Sequence, residues 1–178
     1  TPDGSRPGHI MVNTGDFKDR KIISFESTAY HEGVPGHHMQ IAIATEETSL
    51  PQFRRLGGYT AYSEGWGLYS ERLGKELGFY SDPWSEFGRL AMELHRAVRL
   101  VVDTGLHAKR WTREQTIRYH VDNSPTGEDA AIRATERYIL NPGQATAYMI
   151  GMLKIVELRE RAAAALGERF DIRGFHDF

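Results

Sequence analysis

The stretch Tyr30-His31-Glu32-Gly33-Val34-Pro35-Gly36-His37-His38-Met39-Gln40 puts three imidazoles and a carboxylate into eight consecutive positions, His31 to His38. That combination holds a divalent metal and activates a water, so the stretch reads as the metal site of a hydrolase. In the common zinc-hydrolase pattern two histidines four apart share a helix face, and the glutamate after the first polarises the water. Here His31 and His37 are six apart. On a regular helix that spacing means roughly 120° around the axis and about 9 Å along it, too far to share one ion. Pro35 and Gly36 lie between them. Proline removes a backbone hydrogen bond and glycine takes unusual dihedrals, so the helix is expected to break there, absorb two residues and restore the one-turn relation. His38 faces nearly the same way as His31 on an unbroken helix but is displaced by about 10.5 Å. His37 is therefore the expected ligand, with His38 as the alternative or as a support behind it.

The third ligand is sought in the next helical stretch, Tyr59-Thr60-Ala61-Tyr62-Ser63-Glu64-Gly65-Trp66-Gly67-Leu68-Tyr69. Its glycines let that helix approach the first, and a carboxylate among aromatic residues needs a partner, which a metal supplies. Glu64 is the expected ligand; Glu71, one heptad on, shares its face and is the alternative. Two histidines, one carboxylate and a water form the open four-coordinate arrangement of a catalytic zinc site.

Outward from these segments the pattern is helical. Residues from Ser24 through Ala44 read as one helix interrupted at Pro35-Gly36, and Thr60 to Leu77 as a second helix closed by Gly78. Asp82 caps a third and longest helix with Pro83 at its first position, and Phe87, Leu90, Ala91, Leu94, Val98, Val101 and Val102 form its apolar stripe as far as Leu106. Thr112 with Gln115 makes a capping box for a helix to about Val121. Glu128 to Leu140 and Gln144 to Leu166 follow, separated by Asn141-Pro142-Gly143 and ended by Gly167. Only His9-Ile10-Met11-Val12-Asn13, between Pro7-Gly8 and Gly15-Asp16, reads as a short edge strand. The expected fold is mainly α, one domain over residues 1–178, with a lead-in over 1–23 and a helical core over 24–178.

Composition narrows the chemistry. With 22 Lys+Arg against 24 Asp+Glu, there is no single-sign field to attract nucleic acid or an anionic membrane surface. The chain has no cysteine, so histidine and carboxylate are the strong ligands available. No apolar run is long enough for a membrane span, and the first residues lack the apolar core of a signal peptide. The start reads as a cut inside a longer protein, and the apolar ending Phe170 to Phe178 as continuing.

Farther along, Arg99, Asp103 and His107 stand at four-residue intervals, either a polar ladder facing the pocket or a solvated row. Arg137, Tyr138, Gln144 and Tyr148 form a second polar set. Tyr148 is the candidate donor to a tetrahedral oxyanion, with His107 as its candidate helper.

Four ordered motifs, His-Glu-Gly-Val-Pro-Gly-His-His-Met-Gln (31–40), Tyr-Ser-Glu-Gly-Trp-Gly-Leu-Tyr (62–69), Val-Asp-Thr-Gly-Leu-His (102–107) and Pro-Gly-Gln-Ala-Thr-Ala-Tyr (142–148), together resemble the bacterial domain of unknown function 885 family. The ending Phe-Asp-Ile-Arg-Gly-Phe-His-Asp (170–177) is similar too. Members of that family are longer, are grouped with zincin-like metallopeptidases, and some are described as candidate lipoproteins. The resemblance implies a C-terminal catalytic portion of a zinc peptidase, partnered by a helical N-terminal part of the same protein, with His31, His37 and Glu64 as ligands and Glu32 as general base.

The expected function is therefore hydrolysis of a peptide substrate with Zn2+ as cofactor, the strand near Ile10 pairing with the extended peptide. A non-haem iron oxidoreductase built on two histidines and one carboxylate is the alternative, and a non-catalytic binding domain is the third reading. The sequence assigns no compartment.

Overall fold

A computed structural model describes residues 5–12 and 22–177, and these form an α-helical domain. A single 3-10 turn, Ile22–Ser24, leads into α1 (Phe25–Glu32), and α2 (His37–Glu46) follows after a four-residue break, 33–36. The break is not the bulge expected within a single helix: residues 33–36 separate two helices, with His31 near the end of α1 and His37 at the start of α2. A short α3 (Gln52–Leu56), with no counterpart among the expected elements, precedes α4 (Thr60–Glu76).

The long helices begin and end where local chemistry directs. Asp82 accepts from the backbone N–H groups of Trp84 and Ser85 at 2.8 and 3.1 Å, with Pro83 opening α5 (Pro83–Lys109), since proline has no N–H to leave orphaned. At α6 (Arg113–Asn123), Thr112 and Gln115 exchange the expected reciprocal capping bonds. Helices α7 (Glu128–Leu140) and α8 (Gln144–Leu166) have the expected limits, turned at Gly143, whose φ of 80° suits glycine. A last short helix, α9 (Ile172–His176), follows.

Helix α4 is the centre of the fold. It lies closest to α8 and also contacts α1, α2 and α5. Gly65 and Gly151 set the α4–α8 distance: a Cβ on Gly151 would lie 1.8 Å from the Ala61 carbonyl oxygen, so the two backbones touch. Leu68, Tyr69 and Leu73 of α4 form one core with Tyr148, Met149 and Met152 of α8. Val98 and Val102 of α5, Tyr138 of α7 and Ala145 of α8 form a second.

Two expectations are overturned. No strand occurs among the described residues: His9 to Val12 is irregular and exposed, with no neighbouring strand to pair with, and Asn13, Gly15 and Asp16 lie outside the described residues. The apolar stripe of α5 is also split. Val98 and Val102 are buried, but Phe87, Leu90 and Leu94 are about half exposed, while Arg89, Arg96 and Asp103 are inside. Periodicity identifies a helix face, but here ion pairs and hydrogen bonds carry polar residues into the interior. Among the described residues, no helix is long and apolar enough to cross a membrane.

Candidate metal centre

Three elements converge on one point. His31 from α1, His37 from α2 and Glu64 from α4 each offer a ligand atom, and these atoms lie within 4.8 Å of one another. Glu64 Oε2 is 3.5 Å from His31 Nε2 and 3.2 Å from His37 Nε2. A tetrahedral ion with ligands at ~2.0–2.2 Å sets them about 3.4 Å apart, so the donor set fits zinc in type and the two carboxylate–imidazole separations fit it in spacing; three donors fill three of four tetrahedral positions. The imidazole planes of His31 and His37 stand at 89°, as two ligands arriving from separate helices would. His38, the alternative, is exposed and lies outside this group, its ring beside Gly8.

The support behind His31 is the best-built part of the site. Glu71 is buried and its Oε1 lies 2.8 Å from His31 Nδ1. An ionised carboxylate only accepts, so Nδ1 keeps a proton whether or not an ion is bound, and Nε2 is the nitrogen that faces the triad. Ser27 also donates to Glu71, and buried Arg96 lies 3.6 Å from it. Glu71 thus does not join the triad; two helical turns beyond Glu64, it reaches the opposite nitrogen of the same ring. Gly67 leaves room for that ring, since a Cβ there would fall 2.6 Å from His31 Cε1.

Charge follows the geometry. Burial pushes the Glu64 carboxyl up, but hydrogen bonds with His31, His37 and Tyr148 outweigh it and hold the group well below the usual carboxylate range. Burial likewise opposes ionisation of Glu71, and the Arg96 charge with bonds from His31 and Ser27 overcomes it. For His31, burial favours the neutral ring, while the two carboxylates more than compensate and raise it.

Gln144 donates to Glu64 Oε1 at 3.0 Å and to the Tyr148 hydroxyl at 3.3 Å. Tyr148 is buried and stacks on His31, ring centres 5.9 Å apart. Gln40 Oε1 lies 3.4 Å from His37 Nδ1. Glu32, next to His31 at the end of α1, is exposed.

His107 does not join them. Its Nε2 lies 3.0 Å from the Tyr138 carbonyl oxygen, and it stands two turns beyond Arg99, about 12 Å along the helix. The Arg99–Asp103–His107 row instead grips the α7–α8 corner: Arg99 donates to the Tyr138 hydroxyl, and Asp103 accepts from the Gly143 N–H. Asp103 therefore anchors the start of the helix that carries Gln144 and Tyr148.

The sequence profile of the bacterial proteins of unknown function DUF885 matches residues 1–178. The chain belongs to the DUF885 family. The crystal structure of a candidate lipoprotein from Colwellia psychrerythraea superposes with a TM-score of 0.95 at 51% identity, over 99% of this chain and 30% of that one. A candidate lipoprotein of unknown function from Shewanella oneidensis has a TM-score of 0.77 at 27% identity, over 85% of this chain and 28% of its own. This DUF885 chain thus spans under a third of the length of these solved relatives. No curated protein matches it.

Sequence reasoning missed Arg96 and Ser27 as supports of Glu71. Nothing in their spacing marks them. Arg96 sits in an amphipathic helix where an arginine ordinarily faces water, and only the α1–α4–α5 contact turns it inward.

Proposed function

We propose that this chain carries the site of a zinc-dependent hydrolase that cleaves peptide bonds. The observation that carries the reading is the convergence of His31 Nε2, His37 Nε2 and Glu64 Oε2, with Glu71 on the far nitrogen of His31. A structural histidine cluster has no need of an open fourth position or of a carboxylate fixing one tautomer.

Zinc, when bound, supplies Lewis acidity and lowers the pKa of a water. The chain's own residues do the rest. Glu71 and Gln40 hold the Nδ1 protons of His31 and His37, so that both Nε2 atoms remain donors. Glu32, exposed beside His31, accepts the proton of the attacking water and passes it to the leaving amine. Tyr148, whose hydroxyl hydrogen bonds Glu64 in the free site, swings that hydrogen to the carbonyl oxygen as negative charge develops there. Gln144 orients both Tyr148 and Glu64.

Glu32→Gln tests the assignment. Turnover of a peptide library should fall by at least 100-fold, in line with loss of a general base, while elemental analysis still finds one zinc per chain. Retained turnover removes Glu32 from the mechanism. Stoichiometric iron with oxygen-dependent chemistry would replace the hydrolase with an oxidoreductase.

A further inference from the structure

We propose that Arg99 receives the free C-terminal carboxylate of the substrate, so that the site trims peptides from that end. The inference rests on the hydrolase reading above and names the substrate class for the same site.

Most other arginines of the interior meet a carboxylate, and Arg55, also partly buried, turns its fork to the Thr45 carbonyl oxygen. Arg89 pairs with Glu86 and Glu93, Arg96 with Glu71, and Arg159 with Glu76. Arg99 is different. It is partly buried, yet among the described residues it has no carboxylate partner, and only its Nε is engaged, donating to the Tyr138 hydroxyl at 3.2 Å. Its terminal nitrogens donate to no acceptor among the described residues. Its guanidinium carbon lies 4.7 Å from the centre of the Tyr148 ring and 5.9 Å from that of Tyr138. Stacking on phenol rings offsets part of the cost of holding the cation there, but leaves the outer edge of the fork without a protein acceptor among the described residues. That edge matches a carboxylate in shape and charge, since guanidinium binds it through two parallel N–H bonds.

The placement relative to the triad completes the case. Tyr148 packs against both Arg99 and His31, which puts the guanidinium within about 11 Å of the His31 ring, the length of about three extended residues. A carboxylate held by Arg99 therefore lies one to three residues from a carbonyl at the triad. Arg137, exposed and likewise without a carboxylate partner among the described residues, donates to Gln144 Oε1 at 3.4 Å. It adds a second positive group beside Gln144.

The test is a calorimetric titration of the metal-free protein with acetyl-Ala-Phe, which ends in a free carboxylate, and with acetyl-Ala-Phe-amide. The acid should bind at least ten-fold tighter, and Arg99→Met should bring the two within three-fold. Equal binding to the native protein, or a preference that survives Arg99→Met, overturns the proposal. A third probe, acetyl-Ala-Glu-amide, carries its only carboxylate on a side chain; binding as tight as the acid overturns assignment to the chain terminus. Should Arg99→Met fail to fold, phenylglyoxal labelling of the native protein decides: the acid must shield Arg99 and the amide must not, and equal labelling refutes the idea. Because no metal is present, acid preference without zinc uptake counts against the hydrolase reading alone. Zinc uptake without acid preference counts against this inference alone.

Discussion

Replacing Glu71 by glutamine separates two jobs done by one buried carboxylate. Glu71 is 1% exposed, and the change keeps its volume while removing its charge. The first loss is to Arg96, itself 6% exposed, which is left without its carboxylate 3.6 Å away. Breaking a buried pair costs about 3–5 kcal/mol, and this long contact places the cost near the lower end, about 3 kcal/mol. The second loss is to His31, whose Nδ1 proton loses an ionised acceptor at 2.8 Å. Loss of such support weakens metal affinity by about 10- to 100-fold. Urea unfolding of the metal-free protein reads the first effect and competitive zinc titration the second. Adding Arg96→Met removes the orphaned cation, so the double variant should recover most of the stability but none of the zinc affinity. Unchanged zinc affinity in Glu71→Gln would refute the support role, and a double variant no more stable than the single would refute the charge argument.

Two further outcomes follow from the packing. Gly67→Ala drives a methyl to within 2.7 Å of His31 Nε2; it should reduce zinc affinity by at least ten-fold in competitive titration, as expected when a ligand ring is displaced, and full affinity would show that His31 does not bind there. Acid sensitivity should come from His95 and His120, whose rings meet at 5.1 Å. Burial first, then the Arg99 charge, depresses them from 6.5 to about 2 and about 4 respectively. The unfolded chain takes up these protons and the folded one does not, so the stability they contribute is present above pH 6.5 and is lost as pH falls toward those values. Between pH 7 and 5 each should cost up to about 2 kcal/mol. Urea unfolding of His120→Gln should show about half the pH-dependent loss of the native chain at these two positions, and an identical slope would remove His120 from the account.

The sequence by itself determined the long helices, though not the short α3 and α9, and put forward His31, His37 and Glu64 as candidates, because both rest on local signals. Asp82-Pro83, Thr112 with Gln115, Asn141-Pro142-Gly143 and Gly167 start or stop helices through bonds made within a few residues, and the elements lie where those signals put them. The Pro35-Gly36 break, and Glu64 in its glycine-rich helix, were legible for the same reason. Local pattern also misled, offering a strand at residues 9–13 and an unbroken apolar stripe on α5, since neither pairing nor burial is a property of one segment. Only the tertiary structure separated Glu64 from Glu71, chose His37 over His38, and moved His107 to the Tyr138 carbonyl. Those choices depend on which atoms of different helices meet. Two carboxylates seven residues apart share a face, and the position of the His31 ring between them makes one a candidate ligand and the other the acceptor that aims it.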